Sequence, residues 1–442
     1  MKKPVVVLTA LLAGACGSSQ QGGDGSGTDS PREWFAPGGA ATLDYDPDLP
    51  FLQFIPGLDL SELPSASQGR ELFMAQWELA PGSRSLVDGL GPLAIADACV
   101  ACHLSAGRAP SLNEDGSIGV GLLFRLGNEQ GTADSHYGGQ LQTLSLVGST
   151  EADIHWQPGE QGEPVFTVTP HSGDLAEGIN LGPRLSPELI GVGLLEQVAD
   201  ETILEYADPD DSDQNGISGR AHWLTVEGEQ RLGRFGWKAI QPSLRRQTAA
   251  ALQQDMGLTN PVFPSEPCTA QQSLCGEHPN GGEPEVSETS LSAINDFMRL
   301  LAVPGRRIDD QAVFDRGADL FDSIGCADCH RPTLTTGTSS FPQLSGQLIY
   351  PYTDLLLHDM GEQLSDGVRE GDASGREWRT PPLWGLGLVE SDVNARFLHD
   401  GRAASIEEAI GWHGGEAGQA RQHYLDLGEQ QQQALLDFLR GI

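Results

Sequence analysis

Lysine is almost absent from this chain: in 442 residues it stands only at Lys2, Lys3 and Lys238. Arginine carries the remaining positive charge, and acidic groups still exceed basic ones to a formal net charge of −36. Such a surface repels nucleic acid and anionic lipid, so neither is an expected partner, whereas a basic protein would be drawn to it. Membrane-length apolar runs are also missing. The stretch Val5 to Leu12 is too short to cross a bilayer. Helix breakers, by contrast, are abundant, with 56 glycines and 28 prolines predicting many turns. Lys238 itself, in Gly233-Arg234-Phe235-Gly236-Trp237-Lys238-Ala239, reads most simply as a surface lysine, although an ammonium beside an indole can also be fixed by geometry.

Cysteine is scarce but ordered. Four of the seven fall in two copies of one pattern, Cys99-Val100-Ala101-Cys102-His103 and Cys326-Ala327-Asp328-Cys329-His330. Two thiols at this spacing add across the vinyl groups of a haem, and the next residue is then a histidine held under the ring to bind iron. Zinc sites need four ligands and thioredoxin-like pairs need a βαβ context, and neither calls for a histidine after both pairs. Two c-type haems are therefore expected. Haem one would be attached at Cys99 and Cys102 with His103 axial, and haem two at Cys326 and Cys329 with His330 axial.

The start of the chain fits the compartment where such attachment occurs. Lys2 and Lys3 precede the apolar run, and Ala13-Gly14-Ala15-Cys16 follows it. Residues 1–15 read as an export signal and Cys16 as a lipidated first residue, with ordinary cleavage and periplasmic release as the alternative. Residues 16–50, rich in Gly, Ser and Gln, form a flexible tether, so contact with the membrane would be by lipid anchor only. The remaining Cys268 and Cys275 suit a local disulfide in an oxidising compartment.

Organisation follows from helical periodicity. Phe314 to Phe321 before the second motif and Ala434 to Leu439 at the end are amphipathic, in the order helix, haem motif, loops, helix of a small cytochrome c domain. Gln68 to Phe73 and Leu291 to Leu301 repeat that frame around the first motif. The chain is thus expected to be mainly α, with an N-terminal cytochrome c-like domain over 51–305 that carries a large mixed loop and β insertion, and a C-terminal one over 306–442. Within the insertion, Val165 to Thr169 predicts a strand, and Ser186-Pro187-Glu188 predicts a helix start with serine as N-cap. Asp211, Asp213 and Asn215 before Gly216 have the spacing of a calcium loop, but His222 replaces its final acidic ligand, so a solvated acidic turn fits equally well.

Several segments then resemble the di-haem oxidoreductase family, whose members are labelled peroxidases or thiol oxidoreductases. These are Leu357-His358-Asp359-Met360-Gly361, Glu377-Trp378-Arg379-Thr380-Pro381-Pro382-Leu383-Trp384, Phe397-Leu398-His399-Asp400-Gly401-Arg402 and Trp412-His413-Gly414-Gly415-Glu416. Tyr137 to Gln142, Gly216 to Arg220 and Arg234 to Lys238 extend the likeness from about Ser65 onward. More distantly the chain is similar to bacterial di-haem cytochrome c peroxidases.

The resemblance implies several roles. The interval separating a His-x-Gly segment from the distal haem ligand in those peroxidases runs here from His399 to His413, so His330 and His413 would bind haem two, with His399 and Arg402 in its surroundings. Bis-imidazole ligation would lower that potential relative to a His/Met haem. The region that holds a labile second histidine at haem one in the relatives, 115–121, contains none, which implies an open iron site; His136, His155, His171, His222 and Met256 could still reach it, although each alone reads more simply as a surface or packing residue. Trp237 would be the counterpart of an interhaem tryptophan. The implied activity is peroxidase-like, with peroxide or another small oxidant acting at haem one and a small redox protein supplying electrons through haem two. Two alternatives stay open: a purely electron-transferring cytochrome, and an oxidoreductase acting on a protein side chain, thiol or metal ion.

Overall fold

The computed structural model describes residues 36–44, 46, 51–273, 275, 278–392 and 394–442. The expected signal, Cys16 and most of the tether lie outside the described residues.

Two pairs of crossing helices frame the molecule. Helix α1 (Leu63–Met74) has Pro64 in its first turn, where no amide is needed, and turns Ala66, Leu72 and Phe73 inward. Helix α2 (Leu244–Met256) starts on Ser243, whose side chain accepts from the Arg246 amide, and stops at Gly257 with φ 65°. Helix α3 (Glu288–Arg299) is capped by Ser287 and buries Leu291, Ile294 and Phe297. Helix α4 (Gln311–Ser323), capped by Asp310, buries Phe314, Gly317 and Phe321. Ser405 caps the short α5 (Ile406–Gly411), and α6 (Glu429–Gly441) buries Leu435, Phe438 and Leu439.

Helix α1 packs on α3, and α4 on α6. Each crossing turns on a glycine. A Cβ on Gly69 would lie 1.9 Å from the Ala293 carbonyl oxygen, and one on Gly317 would lie 2.2 Å from that of Ala434. The backbones can approach this closely only without a side chain there. Beside the glycines, Phe73 meets Phe297 at 5.0 Å and Phe321 meets Phe438 at 5.3 Å between ring centroids. All four rings belong to one continuous apolar core.

Strands β1 (Leu122–Gly127), β2 (Ala152–Pro158), β3 (Pro164–Pro170) and β4 (Asn180–Leu185) occupy the insertion. β1 and β4 run antiparallel from Leu122 opposite Leu185 to Gly127 opposite Asn180. β2 and β3 form a hairpin with Ala152 opposite Pro170. Their inward side chains, including Phe124 and Leu185, build a second core on which Trp237 rests.

The expectation of a mainly α chain is overturned. Helix accounts for 29% of the structure and strand for 18%, and the strands fall into sheets of only two or three members. The helical pattern marks the framing segments, whereas the Gly- and Pro-rich sequence between them breaks into short ladders and turns. The helix expected at Ser186 is absent. The chain is irregular from 186 to 190, and the next helix is Val192–Glu196. Lys238 is not at the surface either. It is 1% exposed, and its Nζ donates to the carbonyls of Ser374 and Glu377 at 2.7 and 3.0 Å and lies 3.7 Å from the centre of the Trp378 ring. These acceptors and the indole face make burial of the charge tolerable.

Candidate functional site

Cys99–Cys102 forms one helical turn, and His103 follows it with its backbone amide bonded to the Cys99 carbonyl at 3.0 Å. The segment 186–188 is consumed here instead of starting a helix. Ser186 Oγ donates to the Cys102 carbonyl at 2.8 Å, the Pro187 carbonyl stands 2.9 Å from His103 Nδ1, and Glu188 pairs with Arg108. With its Nδ1 proton given to Pro187, His103 keeps Nε2 as a free donor to a metal. Burial lowers the imidazole's pKa, so it stays neutral. Phe73 from α1 leans on its ring, with the centroids 6.5 Å apart.

Burial pushes the Cys99 thiol up to about 12 and raises Cys102 too, with the Asp255 carboxyl adding to both shifts. They are thiols rather than thiolates at neutral pH, and both line a cavity of about 260 Å³. His103 is the one histidine lining that cavity among the described residues. Asp255 also lines the cavity, close enough to both thiols to act on them; burial raises its carboxyl in pKa, and it accepts from Gln140 Nε2 at 2.8 Å. The other carboxylates of the lining are committed, Glu188 to Arg108 and Glu370 to Arg184.

The second motif repeats the first. His330 Nδ1 lies 3.0 Å from the Tyr352 carbonyl, and Phe321 from α4 leans on its ring at 6.3 Å. The adjoining cavity is larger, about 620 Å³, and Cys326, Cys329, His330 and His413 all line it. His413 leaves the end of α5 with its Nδ1 2.7 Å from the Ala409 carbonyl, so it too offers Nε2. The His330 and His413 rings face one another at 6.5 Å between centroids. That is the span of two imidazoles sharing one metal ion, with two metal–nitrogen bonds of about 2 Å and about 1 Å of ring on either side. Burial, with His413 adding, pushes His330 down to about 4, and burial lowers His413.

The donor sets therefore fit a haem in each cavity: paired thiols, a following imidazole already in the metal-binding tautomer and, at the second cavity alone, another imidazole opposite. Arg108, Trp237, Arg379, Pro381 and Pro382 line both cavities. Trp237 is held in this shared wall by its Nε1, which donates to the Leu185 carbonyl at 2.7 Å, and by its own carbonyl, which accepts from the Arg379 amide at 2.8 Å. Trp378 and Trp384 each line one cavity only, and Trp412 lines neither.

His399 and Arg402 part company. His399 lines the second cavity, 4% exposed and stacked on Trp378 at 3.6 Å, and burial with the nearby Arg184, Arg402 and Lys238 cations holds its pKa well below the ordinary value. Arg402 instead pairs with Asp400 at 2.8 Å and faces an outer groove. Cys268 and Cys275 are joined by a disulfide, with their Cα atoms 6.4 Å apart. Asp211 Oδ1 accepts from the Gly216 amide, Asp213 Oδ1 from that of Asn215, and Asn215 Oδ1 from that of Ile217, so these oxygens serve the turn of their own loop.

Two groups went unassigned in the sequence. Asp255 sits near the end of α2 in a segment without any motif, and only the fold brings it beside Cys99 and Cys102. His358 lies between Asp354 at 2.9 Å and Glu416 at 2.7 Å, with Cys329 Sγ 3.6 Å away. Burial works against its charge, and the bonds to Asp354, Cys329 and Glu416 outweigh it, so its pKa stands well above the ordinary value. The result is an imidazolium beside the second motif. Its occurrence in Leu357-His358-Asp359 was the only sequence signal.

Paired thiols, oriented imidazoles and a common wall define a two-haem redox protein. The family model described as "Di-haem oxidoreductase, putative peroxidase" matches residues 162–442, and the chain belongs to that family, which carries two haems. No curated protein matches it. A solved structure of hydrazine synthase from Kuenenia stuttgartiensis, pressurized with xenon, aligns over 100% of both chains with 15% identity and a TM-score of 0.39, a likeness too slight to argue from.

Proposed function

We propose that this di-haem oxidoreductase is an exported c-type protein that reduces peroxide, or another small oxidant, at an open haem one, with electrons entering through a bis-histidine haem two. Two cytochrome c-like units, 51–305 and 306–442, would hold the haems, attached at Cys99 and Cys102 and at Cys326 and Cys329. The observation that carries the reading is the unequal histidine count among the described residues: the first cavity is lined by His103 and by no second histidine, with Met256 and Met298 also in its wall, and the second has His413 facing His330 at 6.5 Å. One iron would keep a vacant position and the other would not. The haems, when bound, supply the electron transfer; the protein supplies position and protons.

Reduction of hydrogen peroxide to two waters consumes two electrons and two protons. Asp255 is the carboxyl in the first cavity suited to deliver a proton, because burial keeps it protonated at higher pH than an exposed aspartate and Gln140 fixes its direction. Trp237 in the shared wall offers an aromatic step between the cavities. A small redox protein, basic enough to meet a chain of net charge −36, would be the donor. Export through the signal at 1–15, with a lipid on Cys16 holding the protein to a periplasmic membrane face, completes the proposal.

An EPR spectrum of the ferric protein, before and after stoichiometric peroxide, tests it. One high-spin and one low-spin haem, with the high-spin signal altered by peroxide, is the expected outcome. Two unreactive low-spin haems would make the chain an electron-transfer cytochrome instead.

A further inference from the structure

A third cavity adjoins the second haem cavity, with Arg421 in the wall of both, where the β2–β3 hairpin of the insertion meets α5. Its volume is about 680 Å³, within the roughly 300–1,000 Å³ of sites that hold one small organic molecule. Trp156 and Trp412 supply aromatic wall, and Arg396, Arg402 and Arg421 supply cations. Glu408 is the one carboxylate in the lining, and its Oε2 is occupied by the Ala404 amide at 2.8 Å. This positive concentration stands in a chain of net charge −36, so the groove attracts what the rest of the surface repels.

The cations are not equally engaged. Arg402 is bound to Asp400 and lies over the Trp412 ring at 4.7 Å, which widens the flat wall. Arg421 donates to the Gly411 carbonyl at 3.4 Å, its one hydrogen bond among the described residues. The Arg396 guanidinium has no hydrogen-bond or ion-pair partner among the described residues. Trp156 is fixed by its Nε1, which donates to the Asn113 carbonyl at 2.9 Å. Two available guanidinium groups beside indole walls match a ligand that is both flat and negatively charged, since arginine stacks on aromatic planes and forks onto carboxylates.

We propose that this groove binds a planar aromatic anion, with Arg396 and Arg421 pairing its charge and Trp156 and the Arg402–Trp412 stack covering its ring. Trp412 immediately precedes His413, so the occupant sits on the second haem's side of the molecule. The proposal stands on the groove's own lining and is independent of the peroxidase reading.

Calorimetric titration of the holoprotein with 2-naphthoate tests it. Saturable binding is expected, weakened by about tenfold or more in the double variant Arg396→Gln/Arg421→Gln and in the neutral analogue 2-naphthalenemethanol, since a charge-assisted contact is worth a factor of that order. Trp156→Leu should weaken the naphthoate but not hexanoate, which has the charge without the ring. These side chains are partly buried, so circular dichroism and melting midpoint are measured on each variant, and unchanged values exclude misfolding as the cause. Equal binding of naphthoate to the double variant, or of the acid and the alcohol to the parent, overturns the proposal. So does preferential binding of hexaglutamate, which would make the groove a docking face for an acidic protein.

Discussion

The two Cys-x-x-Cys-His segments are alike to within a few tenths of an ångström in how their histidines are held. His103 and His330 each face a carbonyl through Nδ1, at 2.9 and 3.0 Å, and each carries a phenylalanine, Phe73 or Phe321, on its ring. What differs is what the rest of the chain brings opposite. The second cavity receives His413 from the end of α5 facing His330, whereas the first has Asp255 from α2 in its lining and, among the described residues, no second histidine. The motif thus fixes the side of the histidine it contains, and residues far away in sequence decide what else lines each cavity.

That contrast can be broken at several points. Replacing Cys326 and Cys329 by serine, or Cys99 and Cys102, is expected to remove one haem in each case, read as a loss of half the pyridine haemochrome and a matching mass. Retention of two haems by either pair would end the comparison. Asp255→Asn should lower kcat for peroxide by about 10²–10⁴, the usual worth of a positioned proton donor, with both haem spectra intact. An unchanged rate would move the acid role elsewhere.

Ligand exchange sharpens the other half. His413→Met should raise one reduction potential, on the order of 100 mV within the wide range that axial ligands command, and leave the other alone. Spectroelectrochemistry that finds neither potential moved would remove His413 from the iron. Trp237→Phe, a smaller perturbation, should slow electron transfer between the haems without altering either spectrum, as followed by flash reduction of one haem.

The least effect concerns the short strand Glu377–Arg379, whose Arg379 lines both cavities. Glu377 is partly buried, which opposes its charge, but the Arg220 guanidinium and the Ser374 amide together hold its pKa down to about 2. A carboxylate depressed in the folded state contributes stability that is full above its ordinary pKa and is lost as pH falls toward the folded value. The melting temperature of the parent should therefore drop more steeply between about pH 4.5 and 2 than that of Glu377→Gln. Parallel curves would show that the Arg220 pair contributes nothing to folding.

The framing helices were legible because their signals are local. Asp310, Ser287 and Ser405 occupy caps, and apolar residues recur at helical spacing behind them. The strand at 165–169 was legible for the same reason, lying between Pro164 and Pro170 in a run of β-branched and aromatic residues. Ser186 misled because a capping hydroxyl can bond elsewhere: here it donates to the Cys102 carbonyl, while the Pro187 carbonyl faces His103. Lys238, Asp255 and His358 owe their character to burial against Trp378, Gln140 and Glu416, partners brought near only by tertiary packing. The fold class failed on the same ground, since short paired strands carry little periodicity of their own.

The crossing at Gly69 and Ala293, set beside that at Gly317 and Ala434, bears on the order of assembly. The helix that closes over the first motif begins at Glu288, long after Cys102, whereas the one that closes over the second begins at Glu429, far sooner after Cys329. Loop closure costs more entropy and takes longer as the intervening chain grows. A chain emerging from its N-terminus would hold its earlier thiols in an unclosed frame while the whole insertion is made, so the first motif stays open to its haem over a longer stretch of synthesis than the second, which waits only for α6.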